Sequence, residues 1–314
     1  MSERPRLAML IPAYNAAKHL PRLLASAQAQ TEPFDEIWVY DDCSTDDTAK
    51  VAEAYGAKVV RGEKNVGCSV GKNTLAACTR AEWLHFHDAD DELLPNFVAL
   101  ARKWIDDGRY DVVLFDYEYR DIETNELLLL RQFDHSQLRK DARSYAIREQ
   151  INPFCGLYRK SAFLRAGGYD EDPAILYNED VAFHIRLAFA DLSFAAQPGA
   201  CVINYRREGS MSVANALRCL QAHVEVMRRT LARPGGDAYK SEIAERLWSV
   251  GGVLASYGDW RTADAAVDIA HRLGKPPPAA GGKAFRGLAS LNPKAALRIR
   301  ESMVRITKPH LRTH

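Results

Sequence analysis

The first 90 residues alternate short apolar runs with segments of helical spacing, and this alternation limits the fold more than any other feature. The apolar runs predict strands at 7–11, 37–40, 58–61 and 83–87. Helices are predicted between them, over 17–30, 45–55 and within 67–80. Strands that alternate with helices are joined by right-handed crossovers and form a largely parallel sheet. The sequence therefore predicts an α/β fold.

Carboxylates follow two of the predicted strands. Asp41 and Asp42 come after the second strand, and Asp88, Asp90 and Asp91 come after the fourth. Because ligands of such a sheet bind at the carboxyl ends of its strands, both groups should face one crevice. Mg²⁺ and Mn²⁺ suit one or two carboxylates completed by substrate phosphates, so the pattern indicates a metal-held nucleotide diphosphate. An acidic turn that caps the next helix is an equally good explanation of the second group alone.

Composition removes several classes of protein. The 42 lysines and arginines nearly balance 41 aspartates and glutamates, which gives no reason to expect nucleic-acid binding. The six cysteines contain no Cys-x-x-Cys pair, so reduced thiols in a cytoplasmic protein are expected. The amino-terminal segment does not read as a signal peptide, and no apolar stretch reaches the roughly 20 residues that span a bilayer.

Two nucleotide-binding motifs are also missing. A dinucleotide fold requires Gly-x-Gly-x-x-Gly after the first strand, where this chain has Pro12-Ala13-Tyr14-Asn15. The segment Gly67-Cys68-Ser69-Val70-Gly71-Lys72-Asn73 has only three residues between its glycines and lacks the Ser or Thr of a phosphate loop. A dehydrogenase and a P-loop kinase or ATPase are therefore disfavoured.

Five motifs occur in a fixed order along the chain. They are Ile11-Pro12-Ala13-Tyr14-Asn15, Asp41-Asp42-Cys43-Ser44-Thr45-Asp46, Asn65-Val66-Gly67 leading to Lys72-Asn73, Asp88-Ala89-Asp90-Asp91, and Glu179-Asp180. In order and spacing, residues 5–215 resemble inverting family 2 glycosyltransferases of the GT-A fold. The resemblance implies a Rossmann-like, mostly parallel sheet and transfer of a sugar from a nucleotide diphosphate donor.

The resemblance also implies roles for individual residues. Those expected at the nucleotide-sugar are Pro12, Tyr14, Asn15, Asp42, Lys72 and Asp88. Asp42 would bond the base or ribose, and Asp88 would face the ribose. Asp90, with Asp88, would hold Mg²⁺ or Mn²⁺. Asp180 would be the general base, supported by Glu179.

Elementary chemistry agrees with two separated acidic sites. An inverting transfer needs a carboxylate that removes the acceptor's hydroxyl proton and a cation that neutralises the leaving diphosphate. For Glu179 and Asp180 an ordinary helix start is the alternative, because acidic residues favour the positive end of the helix dipole.

The chain departs from the family pattern at two positions. Cys43 stands where glycine is usual, so the turn after the second strand is expected to differ. Lys72 replaces a frequent arginine and loses its planar fork. The Gln-x-x-Arg-Trp signature of processive members is absent, which favours addition of one sugar per encounter.

Further polar residues remain open to two interpretations. Arg206, Arg207 and Ser210 could close over the donor pyrophosphate or form a solvated basic loop. His85 and His87 share one face of the fourth strand, where packing or hydrogen bonding is expected rather than metal ligation.

Beyond the resemblance, the sequence predicts helices near 216–231, 241–256 and 262–273 and a Pro/Gly linker at 276–282. The predicted domains are a catalytic domain over 1–215, a helical extension over 216–275, the linker, and a basic amphipathic tail over 283–314. The tail could lie on an anionic membrane, which would place the protein peripherally on the inner face of the cytoplasmic membrane, or pack on its own domain.

The sequence as a whole predicts a metal-dependent inverting glycosyltransferase that moves one sugar from a nucleotide diphosphate, with uridine favoured by the resemblance. The expected acceptor is a hydroxyl of a cell-surface glycan or glycolipid. A non-catalytic nucleotide-sugar or glycan-binding module on the same fold is the alternative. Nucleotidyl transfer would require a Gly-rich, Arg-containing first loop, which the chain lacks.

Overall fold

A computed structural model of the 314-residue chain describes residues 4–207, 214–274 and 282–312. The chain divides into two compact units. The first comprises Met1–Tyr145, Ile151–Glu171 and Phe183–Ser210. The second comprises Ala146–Gln150, Asp172–Ala182 and Met211–His314.

One mixed sheet organises the first unit. Within the described residues it has nine strands in the order β3-β2-β1-β4-β8-β6-β9-β5, with β7 beside β6. The strands are β1 (Leu7–Ala13), β2 (Glu36–Asp41), β3 (Lys58–Arg61), β4 (Trp83–Phe86), β5 (Glu92–Leu93), β6 (Val112–Asp121), β7 (Leu127–Arg131), β8 (Gly156–Arg159) and β9 (Phe194–Arg206). The pairs among β1, β2, β3 and β4 are parallel, as is β6 with β9, whereas β5, β7 and β8 pair antiparallel with their neighbours.

Helices connect the strands of this sheet. They are α1 (Leu20–Gln28), α2 (Thr48–Ala54), α3 (Cys68–Cys78), α4 (Phe97–Asp107), α5 (His135–Lys140) and α7 (Lys160–Arg165), while α6 (Ala142–Arg148) and α8 (Glu179–Phe189) each contain residues of both units. The first five residues of β1 are fully buried, as expected for a strand of a parallel sheet that is covered on both faces. In α1 the buried residues are Leu20, Leu23, Leu24 and Ala27, the stripe whose spacing predicted the helix.

The first four predicted strands and the three helices between them are confirmed. The sequence predicts no helix or strand over 120–148, where periodicity is low, yet β7, α5 and α6 lie there, and β8 and α7 follow them. These elements contain four to seven residues each, so their own patterns are too brief to be recognised. Pairing with β4 and β6 determines where β8 lies in the sheet.

The second unit is helical. Besides short 3₁₀ turns it contains α9 (Ala216–Ala232), α10 (Lys240–Ser256), α11 (Trp260–Arg272), α12 (Gly282–Leu291) and α13 (Pro293–Thr307). The helices predicted over 216–231, 241–256 and 262–273 are confirmed. Most of the predicted linker lies outside the described residues, and the domain boundaries stay predictions. Among the helices that the structure describes, none combines the length and apolar character needed to cross a membrane.

The predicted basic tail forms α12 and α13, and α13 packs on α10 and α11. Ala296 and Leu297 are buried on its inner side. Arg298 donates to Asp264 of α11 at 2.7 Å. Packing on its own unit, one of the two alternatives for this segment, is therefore observed.

Candidate active site

The loops after β1 and β2 lie side by side because the two strands are parallel and in register, with Ala13 opposite Asp41. Asn15 joins the loops. Its backbone N–H donates to Ser44 Oγ at 2.9 Å, and its side-chain oxygen accepts from the Thr45 N–H at 2.9 Å. Tyr14 beside it is 52% exposed, so its ring is open to a ligand at this edge.

Asp42 is buried, and its carboxylate holds the loop that precedes α3. One oxygen accepts from the Val66 N–H and the other from the Gly67 N–H, each at 2.8 Å. Gly67 has φ +90°, a conformation that favours glycine, and it caps α3. Each carboxylate oxygen has a second lone pair, so these bonds leave Asp42 able to accept from a ribose or base.

The turn after β2 has an unusual backbone conformation at Cys43. Its φ is +62°, in the left-handed region that an L side chain disfavours. Glycine adopts this conformation without a steric cost, which explains why a glycine is usual at such a turn. Cys43 therefore adopts this conformation at a local steric cost.

Lys72 and Asn73 lie on α3 and contact the segment around Tyr169. Lys72 is buried, and its ammonium lies 4.8 Å from the centre of the Tyr169 ring. The Asn73 side chain accepts from the Tyr169 N–H at 2.9 Å and donates to the Tyr169 carbonyl at 3.0 Å. Asn73 thus holds the backbone of Tyr169, whose ring contacts Lys72.

The acidic turn after β4 contains carboxylates in two different environments. Asp88 and Asp90 are partly exposed, whereas Asp91 is buried. Asp91 accepts from the Asn204 side chain at 2.8 Å and from the Tyr205 N–H at 3.0 Å. Burial, reinforced by the charges of Asp90 and Asp88, raises the pKa of Asp91 well above its usual range. Asp91 therefore ties the turn to β9, whereas Asp88 and Asp90 keep part of their surface in solvent.

Pairing of β5 with β9 brings an arginine to this turn. Glu92 lies opposite Ile203 in antiparallel register, so the residues before Glu92 meet those that follow Ile203. Arg207 Nε consequently donates to Asp90 Oδ2 at 2.7 Å. Arg206 points elsewhere, since it pairs with Asp121 at 2.9 Å. The structure thus brings Arg207, but not Arg206, to the acidic turn. Ser210 lies outside the described residues.

The start of α1 brings two basic residues, His19 and Arg22, to this region, and the sequence analysis missed both. Burial, and then the charge of Arg207, lowers the pKa of His19, while Asp90 acts in the opposite direction. The Arg22 guanidinium lies 4.3 Å from the centre of the Tyr205 ring. No sequence signal connects His19 with Asp90, because the two residues meet only through the tertiary fold.

His85 and His87 take the structural role that strand alternation predicts. His85 Nε2 and His87 Nδ1 share a hydrogen bond of 2.9 Å, and His85 Nδ1 bonds the Gly156 carbonyl at 2.9 Å. Both rings are fully buried, and burial lowers the pKa of His85 to about 4. They are neutral packing groups beneath the acidic turn.

Glu179 and Asp180 lie in the second unit, in the first turn of α8. Both are partly buried. Burial, and then the charge of Glu179, raises the pKa of the Cys219 thiol in α9. Tyr177, just before this turn, has φ +70°, which is rare for a bulky residue. Such strained backbone is concentrated at functional sites, so it supports a functional role for this helix start.

The residues at the acidic turn fit a divalent metal that shares its coordination with a ligand. In the described part of the chain no group of three or more His, Cys, Asp or Glu side chains is arranged to enclose a metal ion. Mg²⁺ rarely needs such a cage, because one or two carboxylates and substrate phosphates suffice. Asp88 and Asp90 provide that donor set.

Comparison with known proteins identifies the family. The family model described as Glycosyl transferase family 2 matches residues 9–165, half of the chain. The chain belongs to glycosyltransferase family 2. The match contains the loops after β1, β2 and β4, together with Lys72 and Asn73.

Curated relatives match between about a third and two thirds of this chain. Chondroitin synthase of Escherichia coli is 34% identical over 114 residues, which are 35% of this chain and 16% of that protein. The poly(ribitol-phosphate) beta-N-acetylglucosaminyltransferase TarS of Staphylococcus aureus is 34% identical over 117 residues, which are 35% of this chain and 20% of that protein. An uncharacterized glycosyltransferase of Methanocaldococcus jannaschii is 24% identical over 200 residues, 61% of this chain and 68% of that protein. The matches to chondroitin synthase and TarS thus span a fifth or less of those proteins.

Solved structures extend the similarity to nearly the whole chain at the level of fold. Residues 1–349 of S. aureus TarS in complex with UDP-GlcNAc give a TM-score of 0.73 at 20% identity, covering 96% of this chain and 91% of that one. Mannosyltransferase PcManGT of Pyrobaculum calidifontis, in complex with GDP-Man and Mn²⁺, gives 0.61 at 19% identity, covering 98% and 82%. The predicted GT-A fold with helices at its carboxyl end is confirmed.

Proposed function

We propose that this family 2 chain transfers one sugar from a nucleotide diphosphate donor, with inversion, to a hydroxyl of a cell-surface glycan or glycolipid. The donor we favour is a UDP-sugar. The observation that carries the proposal is the hydrogen bond from Arg207 to Asp90, two residues from Asp88, at the carboxyl edge of the sheet. Carboxylates for a metal and a guanidinium for phosphate are both present there, as a diphosphate leaving group requires.

The neighbouring loops suit the rest of the donor. Pro12 lies near the end of β1, opposite Tyr40. Tyr14 and Asn15 follow β1, and Asp42 follows β2, so they form with Pro12 one edge on which a nucleoside can lie. UDP-GlcNAc and GDP-Man are the ligands named for two proteins of the same fold, which supports a nucleotide-sugar without choosing its base. Lys72 stays in the proposal as a further donor contact, and Arg206 would have to leave Asp121 to become one.

Asp88 and Asp90 would hold Mg²⁺ or Mn²⁺, which when bound neutralises charge on the leaving diphosphate. In this chain Arg207 supplies a second positive charge beside those carboxylates. Asp180 is the proposed general base, which removes the acceptor's proton, and Glu179 supports it. The mechanism thus assigns binding to the first unit's carboxylates and proton removal to Asp180.

Product analysis tests the class of reaction. Full-length protein is first screened by thermal shift against nucleotide-sugars with Mn²⁺, since a ligand at about 100 times its dissociation constant adds roughly 2.7 kcal/mol of stability. The donor so found is then incubated with candidate acceptors. Release of nucleoside diphosphate together with a glycosylated acceptor supports the proposal, whereas pyrophosphate would indicate nucleotidyl transfer.

A non-catalytic binding module is the competing function. It would bind the donor and release no diphosphate with any acceptor. The match to the glycosyltransferase family 2 model favours an enzyme. For location we propose the inner face of the cytoplasmic membrane, with peripheral attachment through the basic carboxyl-terminal segment.

A further inference from the structure

The outer side of α13 carries an apolar stripe in contact with solvent. Ile299, Met303 and Ile306 are 50%, 59% and 79% exposed. Their spacing of four and then three residues places them on one face of the helix. At the end of the preceding helix, α12, Leu291 is 84% exposed. Isolated exposed apolar residues are ordinary, but an aligned stripe indicates a surface that is covered in function.

This stripe is distinct from the face that packs on the second unit. Leu297 and Glu301, on the side of the helix opposite the stripe, are buried, and Lys294 pairs with Asp268 of α11 at 2.6 Å. The helix is thus already held by its inner side. Covering the outer side would not require α13 to leave the bundle.

The charge around the stripe has a single sign. Glu301 is the only acidic residue between positions 282 and 312. It is buried, and it pairs with Arg305 at 2.9 Å and Arg312 at 2.7 Å. Further exposed cations are Arg300, whose guanidinium lies 5.7 Å from the centre of the Phe285 ring, Lys308 just after α13, and Lys283 and Arg286 on α12. The segment therefore presents apolar side chains and positive charge with no exposed carboxylate.

We propose that the outer face of α13 lies in the interface of an anionic lipid membrane, with Ile299, Met303 and Ile306 inserted and Arg300 and Lys308 at the headgroups. This inference rests on the membrane location in the proposed function and names the surface that achieves it. A soluble polyanion would use the cations but leave the stripe exposed, and an apolar protein groove would not need the cations. An anionic bilayer satisfies both features of an interfacial helix.

Surface variants test this better than truncation, because removing α13 would uncover the side chains that Ala296 and Leu297 contact. The triple variant Ile299→Ser/Met303→Ser/Ile306→Ser changes only exposed positions. Its apolar control is Leu164→Ser, a residue on α7 that is 60% exposed. The charge variant is Arg300→Gln/Lys308→Gln, and its control is Arg80→Gln/Lys103→Gln, which removes the same charge from exposed positions in the first unit.

Binding is measured by co-sedimentation with two kinds of vesicle. One is phosphatidylcholine alone, and the other contains about 30 mol% phosphatidylglycerol, which makes its surface anionic. Wild type and both controls should bind the anionic vesicles and bind the neutral ones much more weakly. The triple variant should lose roughly tenfold or more in affinity. The charge variant should lose about fivefold for each cation removed, and less at high salt.

Equal binding of wild type and the triple variant would overturn the proposal, as would a lack of binding by wild type. Tight binding to heparin that the triple variant retains, without vesicle binding, would instead identify a soluble polyanion. Donor binding is measured on the same samples by thermal shift. A variant that loses lipid binding but still binds the donor is changed only at the membrane surface. The membrane proposal can therefore fail without contradicting the proposed transferase activity.

Discussion

Arg207 donates a hydrogen bond to Asp90 across 117 residues of sequence, and the antiparallel pairing of β5 with β9 is what brings the two together. Both side chains keep about a third of their surface in solvent, so the pair is only modestly stabilising. A pair of this kind can be exchanged: a metal ion can take the carboxylate, and a diphosphate can take the guanidinium. If these ligands replace the pair, removal of the arginine should affect binding of the metal ion and binding of the diphosphate in opposite directions.

Arg207→Gln should strengthen binding of Mn²⁺ to the donor-free protein, because a competing cation beside Asp90 is removed. The same variant should weaken binding of the nucleoside diphosphate, each change being a few-fold, as expected for a partly exposed pair. Calorimetric titration with the metal alone and then with diphosphate measures both. Arg206→Gln is the matched control for the metal titration, since Arg206 pairs with Asp121. Weaker metal binding in Arg207→Gln would contradict the exchange.

Asp90→Asn should remove most of the metal dependence of diphosphate binding, because an amide supplies no negative charge to the cation. The measurement is calorimetry of diphosphate binding with Mn²⁺ and with chelator. Asp191→Asn, at an exposed carboxylate that pairs with Arg143, is the control. Tight binding that responds to Mn²⁺ equally in Asp90→Asn and wild type would remove Asp90 from the metal site.

Asp180→Asn keeps the size of the side chain but removes its basicity. Donor affinity should therefore survive while transfer falls by about 10²- to 10⁴-fold, the usual contribution of a general base. Single-turnover transfer at saturating donor, alongside donor titration, separates the two effects. Near wild-type transfer would refute the base assignment, and lost donor binding would make Asp180 a donor-site or structural residue.

Cys43→Gly should raise the thermal midpoint, or at least leave it unchanged, because glycine relieves a left-handed conformation that costs about 1–2 kcal/mol for other residues. Greater freedom of glycine in the unfolded chain offsets about 0.5–1 kcal/mol of that gain. The matched control is Cys78→Gly, an exposed cysteine at the end of α3, where glycine should lower stability by up to about 1 kcal/mol. Equal destabilisation by both substitutions would show that the strain at Cys43 is not significant.

His223 makes the second unit sensitive to acid. Burial, and then the charge of Arg246, lowers the pKa of His223 from 6.5 to about 3. Between these values the unfolded chain binds a proton that the folded chain does not, so the free energy of unfolding falls as the pH falls below 6.5. At pH 5 the loss should be about 2 kcal/mol relative to pH 7.5 or above.

Denaturant unfolding at pH 7.5 and pH 5 measures this loss. His223→Leu should lose about 2 kcal/mol less than wild type over that interval. His271→Gln, at an exposed position of α11, should behave as wild type. An identical pH dependence in all three proteins would show that His223 is not the acid-sensitive group.

Local pattern was sufficient for the first half of the sheet and for the larger helices of the second unit. The strand over 7–11 is buried on both faces and shows as a continuous apolar run, whereas the helix over 216–231 buries one stripe and shows a helical period. The carboxyl ends of parallel strands share an edge of the sheet, so the positions of Asp42 and Asp88 at one edge followed from the order of the elements. His85 and His87 could be assigned to packing from the sequence, because residues two apart in a strand lie on the same face.

Tertiary structure decided the contacts between residues far apart in sequence. β5 has only two residues, which are too few to form a recognisable sequence pattern. Its pairing with β9 nevertheless gives Arg207 and Arg206 different partners, and it places Asp91 where that carboxylate bonds the β9 backbone. His19 reaches the neighbourhood of Asp90 by the same kind of packing. The sequence by itself determined which chemical groups the sheet edge carries, because each group follows its own strand. The fold decided which of them meet, because a contact depends on two segments and on the register between them.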